Sequence, residues 1–96
     1  MFKVNLNMEP IDGYRLANVD WSVKVFVEGK PNHIDYEKKD CVYVDDNNYL
    51  IPIDSSELGA GSYWMTLTAS IPDNDFKGGI RIERRTGFTG VTIDAR

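Results

Sequence analysis

His33 and Cys41 are the only copies in this 96-residue chain of the two side chains that most often act as base and nucleophile. A Cys-His catalytic pair would need both residues to meet across a sheet, with an orienting group behind the histidine. The alternative is that Cys41 packs as a small apolar side chain and that His33 lies exposed beside a turn. A structural zinc site needs about three or four such ligands, and the chain has two, which excludes a structural zinc site. A lone cysteine forms no intrachain disulfide, so the core must stabilise the fold.

The segment 73–78 (DNDFKG) begins like a calcium-binding loop, with acids at its first and third positions and glycine at its sixth. Lysine takes the fifth position, and Arg84 takes the twelfth, where such a loop needs a bidentate glutamate. The sequence therefore favours a solvated loop whose Phe76 packs back under the sheet. Calcium bound near Asp73 and Asp75 is the alternative.

The acidic side chains as a group do not form a catalytic pattern. Hydrolysis of a glycoside needs two carboxyl groups about 5–10 Å apart, in a cleft that raises the pKa of one of them. Nearly all the acids considered fall in predicted turns, where carboxylates are solvated: Asp45, Asp46, Asp54, Glu57, Asp73 and Asp75. We predict that the chain is not an enzyme and binds no metal, nucleotide or other cofactor.

Charge and hydropathy limit the partners of the chain. Eleven Lys and Arg against 15 Asp and Glu give a net charge of −4, whereas nucleic-acid binding relies on basic contacts to phosphates. The longest apolar run covers only residues 41–44, and a membrane helix needs about 20 apolar residues. Residues 1–10 alternate and lack the apolar region of a signal peptide. We expect no nucleic-acid partner, no membrane insertion, and a chain that is cytoplasmic at synthesis unless a leader was removed.

Apolar side chains at every second position predict the elements that carry these residues. The two clearest strands cover residues 21–27 and 62–71. Weaker candidates cover residues 2–8, 33–37, 41–45, 49–53, 80–85 and 88–94. The pattern predicts one all-β domain over residues 1–96, an antiparallel immunoglobulin-like β-sandwich of about seven strands. Alternation assigns these residues to the interior: Val23, Val25, Val27, Met65, Leu67, Ile71, Ile80, Ile82, Val91 and Ile93.

Turn-forming residues separate the predicted strands. Residues 28–32 (EGKPN) and 45–48 (DDNN) predict two hairpin turns, because Gly, Asn and Asp tolerate left-handed backbone. In residues 54–59 (DSSELG), the aspartate offers an N-terminal cap and the final glycine a left-handed C-terminal cap. We expect one short helical turn there.

Two positions predict irregular strands. Pro52 donates no hydrogen bond to a neighbouring strand, so its strand should lie at a sheet edge or contain a bulge at the proline. Phe88 is out of phase with Val91 and Ile93, and Gly90 between them would supply a bulge that corrects the phase.

Two aromatic side chains break the alternation. Trp64 lies on the Ser/Thr face of its strand, and Phe26 lies on the Ser/Lys face of its own. Aromatic groups that face solvent mark contact surfaces, because they carry a large share of interface energy. The alternative is a core that extends around both faces of the sheet, or a loop that covers these two residues. Arg81, Arg84 and Arg85 form a local basic patch, either a second contact surface or a solvated edge that opposes aggregation.

Three segments, residues 42–54 (VYVDDNNYLIPID), 58–63 (LGAGSY) and 71–81 (IPDNDFKGGIR), resemble small β-sandwich domains of Bacteroidetes prophages and integrated mobile elements. Similar modules occur near the N-termini of phage tail-fibre, baseplate and head-fibre proteins. The resemblance implies an immunoglobulin-like module that attaches or spaces parts of a virion, and it implies no catalytic residue.

Two functions follow as expectations. The first is a noncatalytic structural and protein-interaction module of a phage-derived or mobile-element protein, which contacts other chains, neighbouring domains or copies of itself through Phe26 and Trp64. The alternative is a carbohydrate- or surface-binding module whose exposed aromatic side chains stack on sugar rings.

Overall fold

A computed structural model of the chain describes residues 2–94, which form seven strands in two antiparallel sheets. The strands are β1 (Phe2–Asn7), β2 (Asp20–Val27), β3 (His33–Glu37), β4 (Val42–Asp45), β5 (Asn48–Ile53), β6 (Gly61–Pro72) and β7 (Ile80–Ile93). One helical turn, α1 (Ser55–Leu58), and two 3-10 turns, Leu16–Asn18 and Lys38–Asp40, join them. The prediction of an all-β sandwich with a short helical turn is confirmed. No helix in this part of the chain is long and apolar enough to cross a membrane.

The smaller sheet has the strand order β1-β5-β4, and the larger sheet has the order β3-β2-β6-β7. Every paired neighbour is antiparallel. The two-sheet architecture is shared with immunoglobulin domains, but the strand order differs from their constant type. There the second strand lies beside the first, whereas here β2 lies between β3 and β6 in the larger sheet.

The core lies between the sheets because each sheet turns one set of alternating apolar side chains inward. Aromatic edge-to-face contacts join them, with ring centroids 5.0 Å apart for Trp21 and Tyr49 and 5.2 Å apart for Phe2 and Tyr63. The Trp21 indole Nε1 donates a hydrogen bond to the Leu16 carbonyl. The buried strand residues are Val4, Leu6, Trp21, Val23, Val25, Val27, Tyr49, Ile51, Ile53, Tyr63, Leu67, Ala69 and Ile71.

The predicted turns are present where the sequence placed them. In the β4–β5 hairpin, Asp45 Oδ1 accepts hydrogen bonds from the Asn47 backbone N–H and the Asn48 side-chain amide. At α1, Asp54 Oδ1 accepts from both the backbone N–H and the hydroxyl of Ser56. Gly59 ends the turn at a φ of +77°. The capped turn lies against β6, where the Tyr63 hydroxyl donates a hydrogen bond to the Gly59 carbonyl.

Ile80 and Ile82 face solvent, so their predicted place in the core is wrong. They are 50% and 48% exposed. The bulge expected at Gly90 exists, with φ +86°, but Ser62 pairs with Thr92 and Trp64 pairs with Phe88. Three residues of β7 therefore lie opposite the single residue Tyr63. The bulge thus adds two residues rather than one, and an even number leaves the inward and outward alternation of side chains unchanged.

The unchanged alternation decides which way the other side chains of β7 point. Val91 and Ile93 pack against the core, as predicted, although both are only partly buried. Phe88 stays on the outer face with the two isoleucines, and Arg81 and Glu83 take the inner positions. Met65 is likewise only partly buried.

Pro52 lies on the central strand of the smaller sheet and pairs with Lys3 in regular register, so the prediction of an edge strand or of a bulge at the proline is wrong. The pairing of β4 with β5 begins at Val42 and Leu50, whereas Pro52 is paired with Lys3 of β1. Pro52 therefore lies past the end of β4, where β5 has a partner on one side only. A residue without an N–H is tolerated there for the same reason as on an edge strand.

Candidate protein-contact face

The outer face of the larger sheet brings Phe26 and Trp64 together. Phe26 of β2 is directly opposite Trp64 of β6, and Trp64 is opposite Phe88 of β7. Directly opposed side chains of antiparallel strands have Cβ atoms about 4.5–5.5 Å apart, so these three form one continuous line, here called the aromatic row. The strand adjacency that a contact patch requires is present.

Polar side chains surround the aromatic row on the same face. Thr66 and Thr86 share a hydrogen bond of 2.9 Å between their hydroxyls, and Ser62 and Thr92 share one of 3.2 Å. In each pair the two hydroxyl groups form a hydrogen bond with each other, and such a pair is stable at a surface that contacts water. Around these hydroxyl pairs, the three aromatic side chains therefore depart from a surface that is otherwise suited to water.

Exposure rises along the row toward the sheet edge. Phe26 and Trp64 are partly buried, whereas Phe88 is 50% exposed. The Trp64 and Phe88 rings lie 5.4 Å apart at an interplanar angle of 42°. Ile82 and Ile80 are also exposed on the outer side of β7, but Thr86 and Arg84 separate them from Phe88.

The two tryptophans differ in how their indole N–H groups are paired. Trp21 donates to a backbone carbonyl inside the core. The Nε1 of Trp64 is also shielded from solvent, yet it has no acceptor among residues 2–94. A buried donor without an acceptor costs about 1–3 kcal/mol, so an acceptor supplied by another molecule would stabilise this indole N–H group.

Arg81 lies on the inner face and binds three carboxylates. Its guanidinium donates to Asp12 Oδ2 at 2.7 Å, to Asp73 Oδ2 at 2.6 Å and to Glu83 Oε1 at 2.8 Å. The hydrogen bond to Asp12 is the largest cause that raises the pKa of Arg81. This cluster ties the turn after β1 to the β6–β7 hairpin, so Arg81 is occupied within the fold.

The predicted basic patch divides between the two faces of β7. Arg84 is opposite Thr68 and lies exposed on the outer face. Arg85 lies on the inner face, where its Nη1 contacts Glu83 Oε2 at 3.1 Å. Of the three arginines, Arg84 therefore shares a face with the aromatic row, and the other two do not.

The calcium-like loop is held by internal contacts. Asp73 Oδ1 accepts from the Asp75 backbone N–H, and its Oδ2 accepts from Arg81, so a guanidinium already neutralises this carboxylate. Within residues 2–94, no three or more His, Cys, Asp or Glu side chains converge as ligands. Phe76 is 49% exposed at the hairpin tip, so the expectation that it packs under the sheet is wrong.

His33 and Cys41 lie in different surroundings. His33 is the first residue of β3, and Cys41 follows the 3-10 turn after that strand. His33 is exposed beside the turn that precedes β3, and its Nδ1 is 3.3 Å from Asp35 Oδ1. Cys41 packs against the core, with its Sγ 3.5 Å from the Glu37 carbonyl oxygen. Burial raises the pKa of the Cys41 thiol to about 11, which opposes formation of the nucleophilic thiolate.

Phe88, Ile80 and Ile82 are the outer-face residues that sequence reasoning did not assign to the contact surface. A signal for them was present, because all three occupy even positions while Val91 and Ile93 occupy odd ones. The expectation of a one-residue bulge at Gly90 concealed that signal.

Comparison of the chain with protein-family models, with curated proteins and with solved structures gave no match.

Proposed function

We propose that this domain is a noncatalytic protein-interaction module that contacts its partner through the aromatic row. The resemblance described above extends the proposal to a phage-derived or mobile-element protein, in which such a module attaches or spaces parts of a virion. The observation that carries the proposal is the cross-strand alignment of Phe26, Trp64 and Phe88 on the outer face of the larger sheet.

The energetics of interfaces support this surface. Residues at the centre of protein interfaces are enriched in tryptophan and tyrosine, and truncating one of them commonly costs about 2 kcal/mol or more of binding energy. Trp64 stands between Phe26 and Phe88, with hydroxyl-bearing residues around it. An aromatic centre with a polar rim is the arrangement that protein interfaces use.

The unpaired indole of Trp64 adds a second reason for a partner. Its Nε1 lacks an acceptor in the isolated chain. A partner that presents a backbone or side-chain oxygen at this position would satisfy the donor once the ring turns toward it. Binding would then relieve the cost that the free domain carries.

Ring geometry favours a protein over a carbohydrate. Aromatic rings that stack together on one flat polysaccharide surface lie in a common plane. Trp64 and Phe88 are inclined by 42° to each other, so they do not share one. An irregular apolar surface of this kind fits side chains better than it fits flat sugar rings.

The association test compares Trp64→Ala with Tyr43→Ala. Tyr43 is a matched control because it is 56% exposed and lies on β4 of the other sheet. Sedimentation equilibrium would measure association of the purified chain with itself and with the products of neighbouring genes. We expect Trp64→Ala to weaken association roughly ten-fold or more, and Tyr43→Ala to leave it unchanged.

Equal effects of the two substitutions, or no association with either class of partner, would contradict the proposal. A glycan array provides the competing readout, since Trp64-dependent binding there would favour the carbohydrate module instead. The phage part of the proposal has its own test in the genome. Tail, portal or integrase genes beside this gene would support it, and polysaccharide-utilisation genes would count against it.

A further inference from the structure

Strand β7 forms a long edge of the larger sheet. It covers 14 residues, Ile80–Ile93, and pairs with β6 on one side; within residues 2–94 no strand pairs with its other side. The edge strand at the opposite side of this sheet, β3, covers five residues. An extended edge offers a row of backbone N–H and C=O groups to another strand, and exposed apolar side chains increase that tendency.

The regular part of β7 has a defined centre. The bulge opposite Tyr63 interrupts the strand after Phe88, so regular pairing with β6 runs from Ile80 to Phe88. Arg84 is the middle residue of that stretch. A two-fold axis through Arg84, perpendicular to the sheet, would pair the whole regular stretch with the same stretch of a second copy.

In that arrangement the side chains of the two copies complement each other. Glu83 of each copy, which already contacts its own Arg81 and Arg85, also faces Arg85 of the other copy on the inner face, so opposite charges lie across the join. On the outer face Ile80 faces Phe88, an aliphatic-aromatic pair that stabilises antiparallel strands. Ile82 faces Thr86, which leaves no charge beside an apolar side chain at that level.

We infer that two copies of this chain pair antiparallel along β7, with the two-fold axis at Arg84, and that their larger sheets join into one continuous eight-stranded sheet. Each sheet contributes four strands. The inference rests on the proposed function for the view that the domain works through protein contacts. It goes further by naming a second copy as the partner and β7 as the surface.

One contact opposes the pairing and makes the inference specific. Arg84 faces its own counterpart across the axis, and like charges directly opposite each other are destabilising. Replacing Arg84 by an uncharged residue should therefore tighten the dimer rather than weaken it. A surface that used Arg84 to bind an acidic partner would respond in the opposite sense.

Cysteine crosslinking tests the register directly, in a Cys41→Ser background that removes the native thiol. Opposed Cα atoms of antiparallel strands lie about 4.5–5.5 Å apart, within the range that a disulfide spans. Arg84→Cys should therefore give a covalent dimer under mild oxidation. Thr86→Cys is the matched control on the same exposed face. Its two copies would lie four residues apart along the strands, roughly 13 Å, beyond disulfide reach.

A mixing experiment provides the decisive arm. Ile82→Cys alone and Thr86→Cys alone should stay monomeric on nonreducing gels, whereas a mixture of the two should crosslink, because Ile82 of one copy faces Thr86 of the other. Crosslinking of Ile82→Cys by itself would place the axis elsewhere and overturn the inference. Failure of all these variants to crosslink would also overturn it.

The result remains separable from the proposed function. Trp64 lies on β6, one strand in from the edge, and does not contact the second copy in this arrangement. If the edge cysteines fail to crosslink while Trp64→Ala still weakens association, the edge pairing is wrong and the protein-contact proposal stands. If the cysteines crosslink while Trp64→Ala changes no association, the edge pairing stands without the aromatic row.

Discussion

Tyr63 and Trp64 are neighbours on β6, and they show how differently the two faces of one sheet treat an aromatic side chain. Tyr63 points inward and has no exposed surface. Its hydroxyl donates to the Gly59 carbonyl at 2.6 Å, and its ring packs edge-to-face against Phe2. Trp64 points outward, is partly exposed, and its indole N–H has no acceptor among residues 2–94.

The difference separates residues that stabilise the fold from residues available to a partner. An aromatic side chain in the core gains from both burial and a satisfied polar group. Trp64 gains only part of the burial and none of the hydrogen bonding. The inner face therefore stabilises this chain, whereas the aromatic side chains of the outer face stay partly exposed after folding.

The largest effect expected from this comparison is on the free energy of unfolding. Tyr63→Ala should lower it by about 3–5 kcal/mol, because a fully buried ring leaves a cavity. Trp64→Ala should lower it by about 1–2 kcal/mol, since part of the ring already contacts water. Chemical denaturation followed by circular dichroism measures both. A larger loss for Trp64→Ala would mean that Trp64 belongs to the core and that no aromatic row is available.

A pair of nearly isosteric exchanges tests the same assignment with smaller effects. Val25→Thr places a hydroxyl in a fully buried position and should cost about 1–3 kcal/mol of unfolding free energy. Thr66→Val removes an outer-face hydroxyl and should change stability by no more than about 0.5 kcal/mol. Similar costs for the two exchanges would contradict the assigned faces of β2 and β6.

The two faces of β7 should also respond differently to the loss of an arginine. Arg81→Gln removes the cation shared by Asp12, Asp73 and Glu83, so these carboxylates would repel one another and the melting temperature should fall. Added salt should reduce that fall, because it screens the repulsion. Arg84→Gln is the matched control on the outer face, and at a protein concentration where the chain is monomeric its melting temperature should stay close to that of the unmodified chain. Equal shifts would exclude a special role for the inner-face cluster.

A pH titration is expected to show the smallest effect, at the turn that receives the Tyr63 hydroxyl. Hydrogen bonds from the Ser56 hydroxyl and backbone N–H lower the pKa of Asp54 below its ordinary value of 3.8. A carboxyl group whose pKa is lower in the folded state contributes stability above the unfolded pKa, and this contribution is lost as pH falls through the folded pKa. Thermal unfolding below pH 3.8 should therefore be less pH-dependent in Asp54→Asn than in the unmodified chain. An unchanged slope would mean that the cap contributes nothing.

Sequence alone predicted the sandwich because its signals are local. Alternation in β2 and β6, and the turn residues at Asp45 to Asn48 and around Gly59, each depend on a few neighbouring residues. The orientation of β7 depended instead on the size of one bulge. A one-residue bulge would have turned Ile80 and Ile82 inward, whereas the bulge that opposes Tyr63 keeps them outside.

The candidate site was predictable only in part, for a related reason. Trp64 and Phe26 break the pattern of their own strands, so each is visible in the sequence by itself. That β2 and β6 are neighbours is a property of the strand order, which period-two alternation does not encode. The partners of Arg81 include Asp12, 69 residues away along the chain, and no local pattern indicates such a contact.

Acrylamide quenching of Trp64, measured with and without a bound partner protein, tests the central claim most directly. A Trp21→Phe background isolates the signal, with circular dichroism to check the fold. At concentrations where sedimentation shows a monomer, the account predicts red-shifted emission that acrylamide quenches. Adding a neighbouring-gene product that sedimentation shows to bind the chain should shift that emission to the blue and reduce quenching. Emission that is already protected in the monomer, or quenching that binding leaves unchanged, would contradict the claim that Trp64 is the centre of a protein-contact surface.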